Sequence, residues 1–224
     1  MSARTTALCA LIATRRQGAW SDGILKEYVQ RDRLERRDAA LAATLTYGVM
    51  QNRMLLDHYL EQVVSGGLSR LQPAMLDILR LGAYQILLLD KIPDSAAVNE
   101  AVEQTKRYVN QKAAGMTNGA LRALSRKKES LEAPKDFATK YSHPQALVDL
   151  LTDSVGRDQI ESFLRADNEP APTCLQINPL LSNPDEVERA LTEQEISVRK
   201  HPWLPGCYLV TGTGNLARLE LFAS

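Results

Sequence analysis

Apolar positions recur at helical spacing through the first 130 residues, and the pattern then changes. Ser2 is placed to cap a helix whose apolar face is Ala7, Leu8, Leu11 and Ile12, ending near Gly18. Ser21 and Asp22 open a short second helix with Ile24, Leu25, Tyr28 and Val29. Arg36 to Met50 places Ala40, Leu41, Thr44, Leu45 and Val49 on one face. Leu55, Leu56, Tyr59, Leu60 and Val63 continue that face after a bend expected near Asn52, and the run "SGG" at 65–67 ends it. Pro73 suits the first position of the next helix, with Leu76, Leu79, Tyr84, Leu87 and Leu88. This segment is apolar nearly all round, which predicts a central place in a bundle. Pro93 breaks the run, Asp94 or Ser95 is positioned to cap the following helix, and Ala96, Ala97 and Ala101 permit close packing. A last helix begins near Ala114.

The second half mixes periods. Pro144 opens a helix with Leu147, Leu150 and Leu151, Gly156 stops it, and Ile160, Phe163 and Leu164 follow in another. After the loop "NEPAPT", the stretch "CLQIN" alternates like a strand. Asn183, Pro184, Asp185 and Glu186 make a helix start, then "ISVRKH" and "GCYLV" read as strands and "ARLELF" as a further one. The fold expectation is mainly α: a helical bundle at 1–130, followed by a small α+β unit at 131–224.

Hydrophobic residues at 44% and charged residues at 24% fit an ordinary soluble globular protein, and no apolar run approaches a membrane span. Met1 to Trp20 lacks a cleavage-site pattern and reads as a helix, not a signal peptide. Cys9, Cys174 and Cys207 have no pair spacing, and His58, His143 and His201 are scattered, so no metal or disulfide framework is expected and a reducing cytoplasm fits. Cys9 is expected on a core helix face, and Cys174 and Cys207 as packing residues of strands.

The net charge of zero hides an asymmetry: residues 1–130 hold 19 Lys/Arg against 13 Asp/Glu, and residues 131–224 hold 8 against 14. From Gln104 to Lys128 the bases are Lys106, Arg107, Lys112, Arg122, Arg126, Lys127 and Lys128, with no acidic residue. Such a stripe neutralises phosphates, and equally it can be a solvated helix end complementing the C-terminal dipole. The candidate RNA contacts are Lys112, Arg122, Arg126 and Lys127, with Arg15 and Arg16 at the end of the first helix as second choices.

"ERRDAALAATLTYGVMQNRMLLD" (35–57), "LRLGAYQILLLDKIPDSAAVNEAVEQTKR" (79–107) and "GMTNGALRAL" (115–124) resemble the NusB family of RNA-binding helical domains. "YSHPQALVDLL" and "FLRADNEPAPTCLQIN" resemble the segment that follows such a bundle in bacterial 16S rRNA (cytosine-5)-methyltransferases of the RsmB/Sun type, with Gln176 where that family has Arg. The resemblance implies a NusB-like bundle and the start of a ferredoxin/RRM-like part of a methyltransferase region. It also implies ribosomal RNA as partner, and a catalytic domain that binds S-adenosylmethionine through a Gly-rich loop and attacks cytosine with the thiolate of a Pro-Cys motif.

Neither motif occurs in these 224 residues, and "TGTGN" (211–215) reads as a turn. The chain alone is therefore expected to bind no cofactor and to be non-catalytic, as the RNA-binding front end of an rRNA methyltransferase whose bundle holds RNA or docks on its own catalytic domain. Two alternatives stay open. One is a stand-alone NusB-like transcription antitermination factor; the other is a structural domain whose basic stripe pairs with acidic protein surface.

Overall fold

The computed structural model of the chain describes residues 1–18 and 21–211. "ARLELF" and all but the first residue of "TGTGN" lie outside the described residues. Two compact units are present, Met1–Asn168 and Glu169–Ser224.

The first unit is helical. α1 (Ala3–Gln17) begins where Ser2 Oγ accepts from the Thr5 amide at 3.2 Å, and ends at Gly18 with a left-handed φ of 59°. α2 (Ser21–Arg31), α3 (Arg36–Gln51) and α4 (Arg53–Glu61) follow. Asn52 separates α3 from α4 and donates its side-chain amide to Gly48 O at 2.9 Å, which accounts for the bend. α5 (Pro73–Leu88), α6 (Asp94–Tyr108) and α7 (Ala114–Lys127) complete the bundle. Asp94 does not cap α6: its carboxylate instead accepts from Ser125 Oγ of α7 at 2.6 Å, tying the start of one helix to the end of the other.

α5 is central, as its composition predicts. Ile78, Leu79, Ala83 and Ile86 are fully buried, and only its end emerges, with Leu88 exposed. Two glycines let its neighbours close on it. A Cβ at Gly48 of α3 would overlap the Tyr84 ring, and one at Gly82 would lie 2.5 Å from Leu121 Cδ1 of α7. Gln85, also buried, accepts from Arg4 Nε at 2.6 Å and donates to Leu81 O at 2.9 Å, so both ends of its amide are engaged.

The first compact unit runs on past the helical bundle to Asn168. Glu132 O accepts from His58 of α4 and from Gln62, the residue that follows that helix, at 2.7 and 2.9 Å, and Glu132 N donates back to Gln62. α8 (Phe137–Tyr141), α9 (Gln145–Val155) and α10 (Ile160–Asp167) then bury Ala138, Val148, Ile160 and Leu164 against one another, with Met54 of α4 at the edge. His143 bridges Tyr141 O and Asp167 Oδ2 at 2.7 and 2.9 Å. Asn168 donates to Tyr141 O, while Gln51 at the end of α3 donates to Asn168 O. Periodicity misassigned part of this region: Leu147, Leu150 and Phe163 are exposed, because Val148 and Leu164 take the buried rows.

In the second unit β1 (Thr173–Gln176), β2 (Ser197–Lys200) and β3 (Cys207–Thr211) form an antiparallel sheet of order β1-β3-β2. α11 (Pro184–Glu193) starts as expected, with Asn183 Oδ1 accepting from Asp185 N at 3.0 Å. Leu175, Ile177, Leu191, Ile196, Tyr208 and Val210 make its core. Cys207 packs as expected, but Cys174 is exposed, since alternation along β1 sends Leu175 inward and its neighbours outward.

Two outcomes test this packing. Alanine at Gly119, where a Cβ meets no atom within 4 Å, should stabilise by about 0.5–1 kcal/mol through helix propensity. The same change at Gly48 should destabilise by about 2 kcal/mol despite that gain, because the Tyr84 ring must move. Thermal denaturation reads both. A protease of broad specificity should cut first in the loop at 169–172 and spare 127–140; early cleavage beside Glu132 would contradict its anchoring on α4.

Candidate nucleic-acid interface

α7 lies against α6 through a buried hydrogen bond between Thr105 and Thr117 hydroxyls at 2.8 Å and through the Ser125–Asp94 bond. With Leu121 and Leu124 turned into the core, Arg122 and Arg126 come to the outer face one helical turn apart. Both are exposed and border a cleft of about 240 Å3 that also reaches Ser95 and Asn99 at the start of α6. None of the ion pairs among the described residues involves either arginine.

Lys112 and Lys127 are exposed at the two ends of α7. At 1.5 Å per residue they stand about 20 Å apart, so the four residues form a line and not a cluster. The turn carrying Lys112 is fixed by Asn110 Oδ1, which accepts from Ala113 N at 2.9 Å. Two other members of the basic stripe are engaged. Lys128 Nζ donates to Ile86 O at 2.8 Å, and Lys106 pairs with Glu103 at 2.5 Å, just outside the acid-free run.

Arg15 and Arg16 turn to different flanks of α1. Arg15 Nε donates to Asp77 Oδ2 at 2.9 Å, and Arg80 approaches the other oxygen of Asp77 at 3.6 Å while binding Asp57 through two bonds of 2.7 and 2.6 Å. Burial pushes the Asp77 carboxyl up, and Arg15 and Arg80 oppose that shift. Arg15 is thus a strut of the bundle, with only the remainder of its guanidinium available at the rim. Arg16 is exposed and borders a second cleft, with Tyr28 and Tyr108. From sequence, Tyr28 reads only as part of the apolar face of α2 and Tyr108 is not singled out; the signal for them as site residues is that each stands near an arginine, Arg31 and Arg107.

The cysteines lack the surroundings of a nucleophile. Cys9 Sγ donates to the Tyr108 hydroxyl at 3.5 Å, and burial pushes the Cys207 thiol up, away from the thiolate. Replacing Asp77 by Ala should cost roughly 3 kcal/mol in denaturant unfolding, since Arg80 then loses a partner in a nearly closed site.

Residues 1–126 match the NusB family, and residues 143–216 match the RsmF/B-like methyltransferase ferredoxin-like domain. The chain is 32% identical over 204 residues to a protein of Bacillus subtilis named probable ribosomal RNA small subunit methyltransferase B, covering 89% of this chain and 45% of that protein. A Synechocystis protein of the same name is 30% identical over 229 residues, covering all of this chain and 51% of the relative. The chain thus spans about half the length of these curated relatives. The transcription antitermination protein NusB of Ruminiclostridium cellulolyticum is 32% identical over 126 residues, which cover 56% of this chain and 87% of that protein. Among solved structures, PH0851 superposes with a TM-score of 0.66 at 19% identity, over 97% of this chain and 51% of the other. The NusB of a NusB–NusE complex with double-stranded RNA superposes at 0.51 and 24% identity, over 55% of this chain and 93% of the other, and both likenesses concern the fold. Matched through residue 126, and with the match to the ferredoxin-like domain behind it, this chain belongs to the NusB family in the form that carries an RsmF/B-like second domain.

Proposed function

We propose that this chain is the RNA-binding part of a SAM-dependent rRNA (cytosine-5)-methyltransferase, holding ribosomal RNA while methyl transfer is carried out by a part of the enzyme outside these 224 residues. The observation that carries this reading is the joining of a NusB bundle to the RsmF/B-like ferredoxin-like domain in one chain. A stand-alone antitermination factor is less well supported, because the NusB relative matches the bundle alone. The bundle supplies exposed cations in a line along α7, and the charge balance of residues 1–130 favours a polyanion. No helix among the described residues is long and apolar enough to cross a membrane, which accords with work on ribosomal RNA in the cytoplasm.

S-adenosylmethionine supplies the methyl group in this reading. The described residues do not fit it: the clefts of the bundle are lined by arginines with tyrosines, aliphatic side chains or the carboxylates of Asp77 and Asp94, without a Gly-rich loop, and burial pushes the Cys207 thiol away from the thiolate. The role of this chain's residues is then to bind and orient RNA. Lys112, Arg122, Arg126 and Lys127 contact phosphates along the strand, with Arg16 as a further cation beside α1. Arg15 contributes through the Asp77 network that holds α1 on α5.

Binding to single-stranded RNA should weaken with salt, with a slope of about −0.7 in log affinity against log salt for each phosphate contact. Replacing Arg122 and Arg126 by Ala should flatten the slope by about 1.4 and weaken all sequences alike, since phosphate contacts carry no base information. Fluorescence anisotropy across a salt series reads both. An unchanged affinity and slope would remove the α7 line as the RNA site.

A further inference from the structure

The second cleft has a chemistry different from the line of cations on α7. It lies between α1, α2 and the end of α6, and has a volume of about 270 Å3. Two aromatic side chains from different helices, Tyr28 and Tyr108, converge on it, and both are half-buried. Ile12 of α1 adds an aliphatic wall, and Gln17 brings one amide able both to donate and to accept. No carboxylate lines it; Arg16 is its charged member.

The two rings are held in place. Arg31 sits over Tyr28 with its guanidinium carbon 4.0 Å from the ring centroid, and is itself fixed by Asp32 at 2.8 Å. Asp32 in turn accepts from Thr6 of α1 at 2.7 Å, so the stack is anchored to the helix that forms the floor. Tyr108 is held by the Cys9 thiol at 3.5 Å. Burial, with the Cys9 contact, pushes the Tyr108 hydroxyl up to about 12, so the ring stays neutral at any physiological pH. Arg107 lies 5.4 Å from the centroid of the Tyr108 ring.

We infer that this cleft takes one unpaired nucleobase of single-stranded RNA, stacked on Tyr28 and Tyr108, with Arg16 and Arg107 on the flanking phosphates. The inference rests on the RNA-binding reading above and deepens it. Pre-oriented aromatic faces beside cations are what an unstacked base requires, and a base within a duplex cannot reach them. Position along the chain supports it as well. Arg107 and Tyr108 are the last residues of α6, and Lys112 follows four residues later in the turn that leads into α7, so the cations of α7 begin close along the chain to the cleft. A base entering takes the Tyr28 face that Arg31 leaves uncovered, and its polar edge meets the Gln17 amide.

The test uses the full chain, a single-stranded RNA oligonucleotide of mixed sequence, and a duplex of equal length. Tyr28→Leu and Tyr108→Leu should each weaken single-strand binding about tenfold, leave the salt slope unchanged and leave duplex binding as it was, because stacking releases no counterions. Tyr28→Phe and Tyr108→Phe keep the ring and should stay within about twofold of the parent. Leucine variants that keep the parent melting temperature and bind the single strand normally overturn the inference, as does a loss of affinity equal for duplex and single strand. Should a leucine variant fail to fold, the parent protein decides: an oligonucleotide carrying 2-aminopurine at successive positions should show quenching at one position, and none at any position overturns the cleft as a base site. A parent chain that binds neither RNA removes the RNA-binding reading itself, an outcome distinct from normal, salt-dependent binding that ignores the tyrosines.

Discussion

The burial of α5 is the constraint on which the first unit depends. A helix with Ile78, Leu79, Ala83 and Ile86 closed to water needs a neighbour on every side, and α1, α3, α4, α6 and α7 supply them. Close approach is possible only where a side chain is missing. Gly48 admits the Tyr84 ring and Gly82 admits Leu121, so a backbone choice on one helix fixes the seat of another. The same helix carries Asp77 and Arg80, whose network with Arg15 and Asp57 satisfies the charges that the packing traps.

This constraint explains why the motifs that mark the family are not the ones that face a partner. Leu81, Gly82, Ala83, Tyr84 and Gln85 are all buried, and each has a packing or hydrogen-bonding role within the bundle. The segment that marks the methyltransferase relatives behaves in the same way. His143 and Asn168 are latches, joining α8, α10 and the end of α3 through hydrogen bonds of 2.7–2.9 Å. What faces outward is the less distinctive part of the sequence: Arg122 and Arg126 on α7, and Arg16 at the end of α1. The rigid packing beneath positions these side chains without specifying a partner for them.

The sequence by itself determined most of the segments that are helices and strands, though not α8. Helix starts at Ser2, Pro73 and Asn183, the break at Pro93 and the strands around Cys174, Val198 and Cys207 follow from local sterics, capping and period, and these act within a few residues. The centrality of α5 was legible for the same reason, since a helix apolar all round has no solvent face. The basic stripe was legible as composition. Only the tertiary structure decided which cations are free to bind: Lys128 is drawn to Ile86 O, Lys106 to Glu103 and Arg15 to Asp77, through partners one turn to many tens of residues away. It likewise decided that residues 131–168 continue the first unit, because the hydrogen bonds of Glu132, His143 and Asn168 join positions that no local period connects. The convergence of Tyr28 and Tyr108 on one cleft is of the same kind: the two residues are 80 positions apart in the chain, and only the packing of α1 against α2 and α6 brings them together.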